Sequence, residues 1–369
     1  GMMGNDNITA YQYLSMYSFN TDSYYAFGKT PVSVQSIYET VTANPLVTWE
    51  TAKTWNIGFS SQFLNGKLGL DLDYFQSNRN DILITRNASI PTYSGLSLPA
   101  ENLGKVKNHG FEAIATYRDS KGDFEWGVTG NVTYAKNEVV YADEAADTPA
   151  WQRETGHPID GGTYYKALGI YQTQEQIEST PHLSGTKIGD LIYQDTNKDG
   201  NITWDDAVRR DKSATPKWIF GLTLNGSWKG MDVNAFFQGQ ADAEILVQPT
   251  MNMATDFYEG RWSESNTAEQ NAAAKWPRAF MKASSVDNRN SQSSTWWLRD
   301  ASFVRLKSLE IGYTFPKTLI SPLGVEKLRL YVNGNNLFTI DSVGIFDPEM
   351  TNGIRGYSLQ RSWTFGLNV

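Results

Sequence analysis

A run of oxygen-bearing side chains spans residues 195–206 of this 369-residue chain. Carboxylates or amides occupy positions 1, 3, 5 and 12 of the run, which are Asp195, Asn197, Asp199 and Asp206. Calcium loops use this spacing, because an ion that takes six to eight oxygens is surrounded by alternate side chains of one tightly bent segment. The run therefore predicts a Ca²⁺ site with a structural role.

The residues between these positions fit the same geometry. Gly200, at position 6, permits the sharp bend that turns the acidic side chains inward. Asn201 can offer its backbone carbonyl, and Thr203 can hold a water molecule. Two features depart from the usual loop: Asp206 replaces a bidentate glutamate, and neither flank is a strongly amphipathic helix. The alternative interpretation is a solvated acidic loop stabilised by Asx turns.

Aromatic side chains are frequent in two long polar segments of the chain. Those that could stack on a substrate include Tyr164, Tyr165 and Trp262. Such rings stack on sugars, but they also pack one loop against another, and packing is the more common role. Both roles stay open for these three residues.

Other chemistry has little support in the sequence. The histidines at 109, 157 and 182 have no metal spacing, and the chain has no cysteine. No nucleophile elbow, phosphate loop, zinc motif or glycosidase-type carboxylate pair is recognisable. We therefore expect no enzymatic activity. Acidic residues number 40 against 32 lysines and arginines, and the formal net charge of −8 disfavours binding to nucleic acid.

The elements that position these residues are predicted to be β-strands. Aromatic residues make up 13% of the chain and glycine numbers 31, a composition that favours strands and turns over helices. The clearest pattern is a hairpin at 217–240 that turns at Lys229-Gly230. Its apolar face alternates with polar residues and comprises Trp218, Phe220, Leu222, Leu224, Trp228, Met231, Val233, Ala235 and Phe237. The predicted fold class is all-β with antiparallel strands.

About nine strands show this alternation. They are predicted at 46–63, 68–74, 111–117, 124–134, 217–228, 231–240, 302–315, 328–332 and 363–369. Asn65-Gly66 and Lys121-Gly122 mark two further short turns. Phe303, Val304 and Leu306 break the two-residue period, which predicts a β-bulge.

Short and long connections alternate between these strands. The long ones, at about 140–216 and 246–294, include the calcium-type loop. Antiparallel strands joined in this way place every short turn at one end of the sheet, as in an outer-membrane β-barrel with periplasmic turns and extracellular loops. We expect a loop-rich segment at 1–45 and a partial transmembrane barrel at 46–369. Nine strands are too few for a closed barrel, so further strands are expected on the N-terminal side.

Six short motifs follow one another in a specific order. They are T-W-E at 48–50, N-L-G-K-V-K-N-H-G-F-E at 102–112, G-D-L-I-Y-Q-D at 189–195, S-F-V-R-L-K at 302–307, N-N-L-F at 335–338 and F-D-P-E at 346–349. In this order they resemble the SusC/RagA family of TonB-dependent outer-membrane transporters. The resemblance covers nearly the whole chain from about Thr48 onward.

The resemblance implies a place in the outer membrane of Bacteroidetes-type bacteria and uptake of glycans or peptides. It further implies that TonB supplies the energy, through a plug domain, and that a SusD-like surface lipoprotein forms a lid. The chain would be the C-terminal part of a barrel of roughly 22 strands. Because the plug is absent from it, this part alone is not expected to transport.

A second function class fits the same residues. It is a soluble, secreted β-rich module that binds carbohydrate with the help of calcium. Such a module has to bury both faces of its sheets against protein. A barrel instead exposes one apolar face to outer-membrane lipid, so side-chain exposure on the strands distinguishes the two.

Overall fold

Strands dominate the computed structural model, which describes residues 2–5, 11–20, 36–86, 98–247, 254–279, 289–350 and 358–369. The strands are β1 (Met2–Asn5), β2 (Met16–Asn20), β3 (Ser36–Val41), β4 (Glu50–Phe63), β5 (Leu68–Thr85), β6 (Ala100–Lys121), β7 (Phe124–Tyr141), β8 (Thr163–Tyr164), β9 (Ala167–Ile170), β10 (Leu191–Tyr193), β11 (Val208–Arg209), β12 (Trp218–Trp228), β13 (Met231–Ala241), β14 (Glu244–Leu246), β15 (Leu298–Asp300), β16 (Phe303–Thr314), β17 (Arg329–Asp341) and β18 (Ser362–Asn368). Ten of them form one sheet in the order β1-β4-β5-β6-β7-β12-β13-β16-β17-β18. Its neighbours pair antiparallel, which confirms the predicted fold class.

Smaller elements belong to the connections. The pairs β2-β3, β8-β11, β9-β10 and β14-β15 form two-stranded sheets. The α-helices are short: α1 (Gln174–Ser179), α2 (Ala254–Gly260), α3 (Ala268–Ala272) and α4 (Lys317–Ile320). Across the described ranges, no helix has the length and apolar character needed to cross a membrane.

The chain divides into two compact units. One comprises residues 1–56, 75–109 and 136–159, and the other comprises 57–74, 110–135 and 160–369. The buried apolar core of the second unit lies among its connections, where Trp276 and Trp297 stack with ring centroids 5.7 Å apart. These connections are therefore folded structures in their own right.

The predicted hairpin at 217–240 is present as β12 and β13. Leu222 faces Phe237 across the pair, and Leu224 faces Ala235, so the apolar residues of both strands share one face. Lys229 and Gly230 have φ angles of 47° and 86°, as the two central residues of a tight hairpin turn require. The Gly230 carbonyl of this turn then accepts a hydrogen bond from the amide of Thr314 at 2.8 Å.

The predicted bulge is also present. The register of β16 shifts against both neighbours, between Phe236 and Phe237 on β13 and between Leu306 and Ser308 on the β16–β17 side. An extra residue in one strand changes which side chains share a face. Beside this shift Phe303 and Arg305 are buried, whereas Val304 is 37% exposed.

Several predicted boundaries differ from the structure: β5, β7 and β17 continue to Thr85, Tyr141 and Asp341, beyond the predicted ends at 74, 134 and 332. Strand β6 begins at Ala100, before the predicted strand at 111–117, and the short strand β1 adds a tenth member to the sheet. Neither segment has an alternating apolar pattern. At the start of β6, hydrogen bonds take the place of an apolar pattern. The Asn102 Nδ2 donates to the carbonyls of Thr48 and Asp81, each at 2.7 Å.

The long connections of the second unit meet at one end of the sheet. Trp218, where β12 begins, pairs with Ala241 at the end of β13. Phe303, where β16 begins, pairs with Gln240 and with Asp341 at the end of β17. The segments that lead into β12, that join β13 to β16 and that follow β17 therefore start or finish beside one another.

Replacing Gly230 by alanine should destabilise the hairpin more than replacing Gly122. Both glycines have positive φ, but a Cβ at Gly230 would lie 2.6 Å from the Thr314 carbonyl oxygen, whereas one at Gly122 meets nothing within 4 Å. We expect Gly122→Ala to cost about 1 kcal/mol and Gly230→Ala about 2–3 kcal/mol, since the second change adds a clash to the left-handed backbone strain. Urea unfolding in detergent measures the free energy of unfolding of both variants. Equal losses of stability would contradict the contact with the Thr314 carbonyl oxygen.

Candidate functional site

One face of the sheet is apolar and exposed. On β12 and β13, five of the side chains on this face are between 38% and 53% exposed: Leu222, Leu224, Trp228, Met231 and Val233. On the terminal strand β18, Trp363, Phe365 and Leu367 are between 57% and 78% exposed. Soluble proteins rarely expose such large contiguous apolar surfaces. This face counts against the soluble module and has the character of a lipid-facing wall.

The opposite face carries polar networks. Arg329 on β17 donates from Nε to Asp232 on β13 at 3.0 Å and from Nη2 to Glu310 on β16 at 2.7 Å. Asn333 donates to Ser308 at 3.1 Å on the same face. Charged and amide groups that bridge three adjacent strands in this way indicate an interior that is polar, as in transmembrane β-barrels.

The calcium-type loop is bent by its own side chains. Asp195 accepts hydrogen bonds from the amides of Lys198 and Gly200, at 2.7 and 2.9 Å. Both donors have positive φ, 62° and 85°, so the chain curls around the Asp195 carboxylate. Asp199 accepts from the Asn201 amide at 2.7 Å, and Asn197 accepts from the Asp199 amide at 3.0 Å.

Asp206 joins the two ends of this loop through hydrogen bonds to its backbone. Its carboxylate is fully buried and accepts from the amides of Thr196 and Thr203, at 2.7 and 2.8 Å. The second of these bonds belongs to a capping box, in which the Thr203 hydroxyl caps the 3-10 turn Trp204–Asp206. Asp206 thus holds both ends of the 195–206 run together.

The loop's donors suit a hard cation in chemical type. Within the described residues, no lysine, arginine or histidine forms an ion pair with Asp195, Asp199 or Asp206. Nor do the described ranges contain a group of three or more His, Cys, Asp or Glu side chains that could hold a metal ion. An ion here would therefore need the Asn197 amide oxygen and the Asn201 carbonyl beside the carboxylates.

The three candidate aromatics occupy two different surroundings. Tyr165 and Trp262 are 6% and 8% exposed and belong to the apolar core of the connections. The Trp262 indole donates to the Gln172 side chain at 3.1 Å, and the Tyr165 ring lies 5.2 Å from that of Tyr193. Tyr164 is half-buried and lines a cavity of about 470 Å³. Burial raises the pKa of the Tyr165 hydroxyl, so this group stays protonated near neutral pH.

A buried carboxylate joins the two long connections. Asp190 accepts from the Asn290 amide at 2.7 Å, and its Oδ1 lies 2.6 Å from the Arg278 Nε in an ion pair. Asp190 has no exposed surface, whereas the side chain of Arg278 is 17% exposed. A buried charge of this kind is tolerable only when it is paired and hydrogen-bonded, so Asp190 fixes one connection against the other.

A second buried ion cluster fixes the segment that follows β17. The Arg305 side chain, 1% exposed, donates to Glu349 at 2.6 Å and to Asp347 at 2.7 Å. Two of the motifs noted in the sequence, at 302–307 and 346–349, therefore meet through side chains. The nearby residues Val343 and Gly344 are held by Asp341, whose Oδ1 accepts from their amides at 2.9 and 3.0 Å.

Residues 343–345 form one wall of a cavity of about 1000 Å³. The other walls come from the connection between β13 and β16 and include Arg261, Lys275, Trp276, Trp296 and Arg299. Of these, Lys275, Trp296 and Arg299 were not identified from the sequence. The signal in the sequence was the local run Trp296-Trp297-Leu298-Arg299. In this run Trp297 is fully buried, whereas Trp296 and Arg299 line the cavity.

The two-faced antiparallel sheet, with short turns and long folded connections, defines a transmembrane β-barrel class of protein. Comparison with known families identifies the family itself. Residues 10–337 match the family described as "TonB dependent receptor-like, beta-barrel". The chain belongs to this family, whose SusC/RagA-type members are outer-membrane β-barrel proteins and are transporters rather than enzymes.

Individual relatives agree with this assignment. The chain is 29% identical to "TonB-dependent receptor P3" of Formosa agariphila and 25% identical to "TonB-dependent receptor SusC" of Bacteroides thetaiotaomicron. Both matches cover all of this chain, which spans 38% and 36% of the length of these relatives. A structure described as the RagAB peptide importer in the "open-open" state gives a TM-score of 0.69 at 21% identity. That match covers 99% of this chain and 39% of the other, and it shows the shared fold.

Arginine substitutions on the two faces of β12 should have unequal effects. Leu222→Arg places a charge on the exposed apolar face and should cost about 2–4 kcal/mol in a bilayer. Thr223→Arg, one residue further on and on the polar face, should cost much less. Unfolding of each variant in phospholipid vesicles gives the comparison, and the assignment of the lipid face fails if the two losses are equal.

Proposed function

We propose that the chain is part of the barrel of an importer that carries a nutrient, a glycan or a peptide, across the outer membrane. The observation that carries this proposal is the two-faced sheet, with an exposed apolar face opposite ion-paired strands. Membership of the TonB-dependent receptor family supports it, as does the similarity to SusC and to the RagAB peptide importer. In this proposal TonB supplies the energy.

The long connections would form the extracellular surface that meets the substrate. Their core of stacked tryptophans, and the ion pairs at Asp190 and Arg305, would keep this surface ordered. A SusD-like lipoprotein would cover it as a lid. The support for this partner is the similarity to SusC and RagA-type transporters, which the resemblance in the sequence associates with such lipoproteins.

A deletion in the source organism tests the proposed import. Cells that lack the protein should lose growth on, and uptake of, one class of oligosaccharide or peptide, and restoring the gene should restore both. Loss of TonB should have the same effect, because the proposed energy source is then absent. Unchanged uptake of every oligosaccharide and peptide in the deletion strain would contradict the proposal.

Purification tests the proposed lid separately. The protein extracted from outer membranes in mild detergent should carry a surface lipoprotein at equal stoichiometry. If the protein is isolated alone from membranes that still contain such a lipoprotein, the lid is excluded while import stands.

We also propose a structural calcium ion in the 195–206 loop. Its support is the spacing of Asp195, Asn197 and Asp199, the left-handed bend at Gly200, and carboxylates with no cationic partner within the described residues. Bound calcium would neutralise these carboxylates and fix the loop beside Tyr165, whose ring lies 5.8 Å from that of Trp204 in an edge-to-face contact.

Terbium luminescence can detect this ion, because Trp204 lies within the 195–206 loop and can sensitise a bound lanthanide. Wild-type protein should give sensitised emission that calcium displaces. Asp199→Asn removes one charged ligand at an exposed position and should weaken binding at least about tenfold. Asp147→Asn, an exposed acidic residue outside the loop, is the control. Emission that is absent, or equal in the Asp199 variant and wild type, would contradict a calcium site.

A further inference from the structure

The cavity of about 1000 Å³ between the long connections has an unusual charge. Among the described residues, its charged lining residues are Arg261, Lys275 and Arg299, and Glu259 is the single carboxylate. The cavity wall thus carries a formal charge of +2, whereas the whole chain carries −8. A local reversal of sign inside a concave site concentrates anionic ligands there, because low-dielectric walls focus the field.

Arg299 is a partly buried cation without an acidic partner in the part of the chain that the structure describes. Its Nη1 donates to the carbonyls of Trp296 and Leu298, at 2.8 and 2.9 Å, and its guanidinium lies 5.2 Å from the ring centroid of Trp276. Burial lowers the pKa of this guanidinium. None of the described aspartates and glutamates forms an ion pair with it, in contrast to Arg305 and its two carboxylates. The guanidinium is held in position, and its remaining N–H groups are available to an oxyanion.

Trp296 provides a second donor at the same cavity. Its Nε1–H is buried and has no hydrogen-bond partner among the described residues. A buried indole N–H normally finds a partner, and leaving it unpaired is destabilising. A ligand oxygen in the cavity would satisfy it.

The remaining polar groups of the cavity suit hydroxyls. Gln270 uses its Oε1 to accept from the Thr267 amide, and Asn266 uses its Nδ2 to donate to the Arg261 carbonyl. The Gln270 Nε2 donor and the Asn266 Oδ1 acceptor are then left for a ligand, together with the Glu259 carboxylate. Sugar hydroxyls both donate and accept, so they match this mixed set of donors and acceptors.

We propose that this cavity binds an oligosaccharide that carries carboxylate or sulfate groups, with the oxyanion at Arg299, Lys275 and the Trp296 indole. The inference rests on the proposed import function and names the class of substrate. Arg299 and Trp296 orient the oxyanion, whereas Lys275 adds charge at an edge where it makes no ion pair with the described residues.

Calorimetric titration of the intact protein in detergent tests this site. The ligands are tetragalacturonate for the carboxylate, a sulfated carrageenan tetrasaccharide for the sulfate, neutral maltotetraose, and tetra-aspartate as an acidic peptide. At least one of the acidic oligosaccharides should bind about tenfold or more tightly than maltotetraose, with an affinity that falls as salt is added. The stronger of the two identifies the oxyanion.

Two variants localise the binding. Trp296→Phe keeps an aromatic ring but removes an N–H that has no partner in the free protein, so it should leave folding intact and weaken binding about tenfold. Lys275→Gln should weaken binding several-fold, and Lys275→Arg should restore it. Lys317→Gln, an exposed lysine in the turn between β16 and β17, is the matched control and should bind as wild type does.

The outcomes separate this inference from the import proposal. Equal affinity for acidic and neutral oligosaccharides, binding of tetra-aspartate alone, or wild-type affinity in both cavity variants would overturn the acidic-sugar site. If the acidic oligosaccharide binds and the variants weaken it while cells do not accumulate it, the site stands and import fails. If cells import only neutral ligands and the variants do so equally well, import stands and the site fails.

Discussion

The structure depends on backbone hydrogen bonds that are satisfied between neighbouring strands, because one face of the sheet is exposed and apolar. In hydrocarbon an unpaired amide or carbonyl costs several kcal/mol, so strands that cross a membrane must pair along their whole length. The central strands do so: β12 pairs residue for residue with both β7 and β13 from Trp218 to Trp228. Tight turns such as Lys229-Gly230 continue this pairing at one end, and the long connections are confined to the other.

In the connections, buried ionic side chains need partners just as the backbone groups of the sheet do. Two deeply buried ionic groups are matched by partners from another segment: Asp190 by Arg278 and Asn290, and Arg305 by Asp347 and Glu349. These clusters hold long polar segments in a fixed arrangement that the sheet does not impose. Arg299 departs from the pattern, since among the described residues only backbone carbonyls and a tryptophan ring hold its guanidinium. That departure distinguishes a ligand cavity from a structural ion pair.

Much of the sheet could be predicted from sequence, because alternation is a local signal. The face of Leu222 and Leu224, the turn at Gly230 and the bulge near Leu306 all follow from the two-residue period and turn chemistry. The start of β6 was predicted too late, since Asn102 replaces apolar alternation by hydrogen bonds to residues distant in sequence. The cavity was missed for the same reason: Lys275 and Arg299 are 24 residues apart, and residues 343–345 belong to a separate segment that follows β17. The burial of Tyr165 and Trp262 could not be predicted either, because the sequence does not show whether an aromatic residue in a loop is buried.

The central claim is that the exposed apolar face of the sheet contacts lipid and the opposite face contacts water. The absence of native cysteine allows a single nitroxide label to be placed at successive positions on β12 of the intact protein in bilayers. Labels at residues 222, 224 and 228 should be accessible to oxygen dissolved in lipid and shielded from a water-soluble nickel reagent. Labels at 223, 225 and 227 should show the reverse, with a period of two. Uniform accessibility along the strand, or the opposite phase, would contradict the claim.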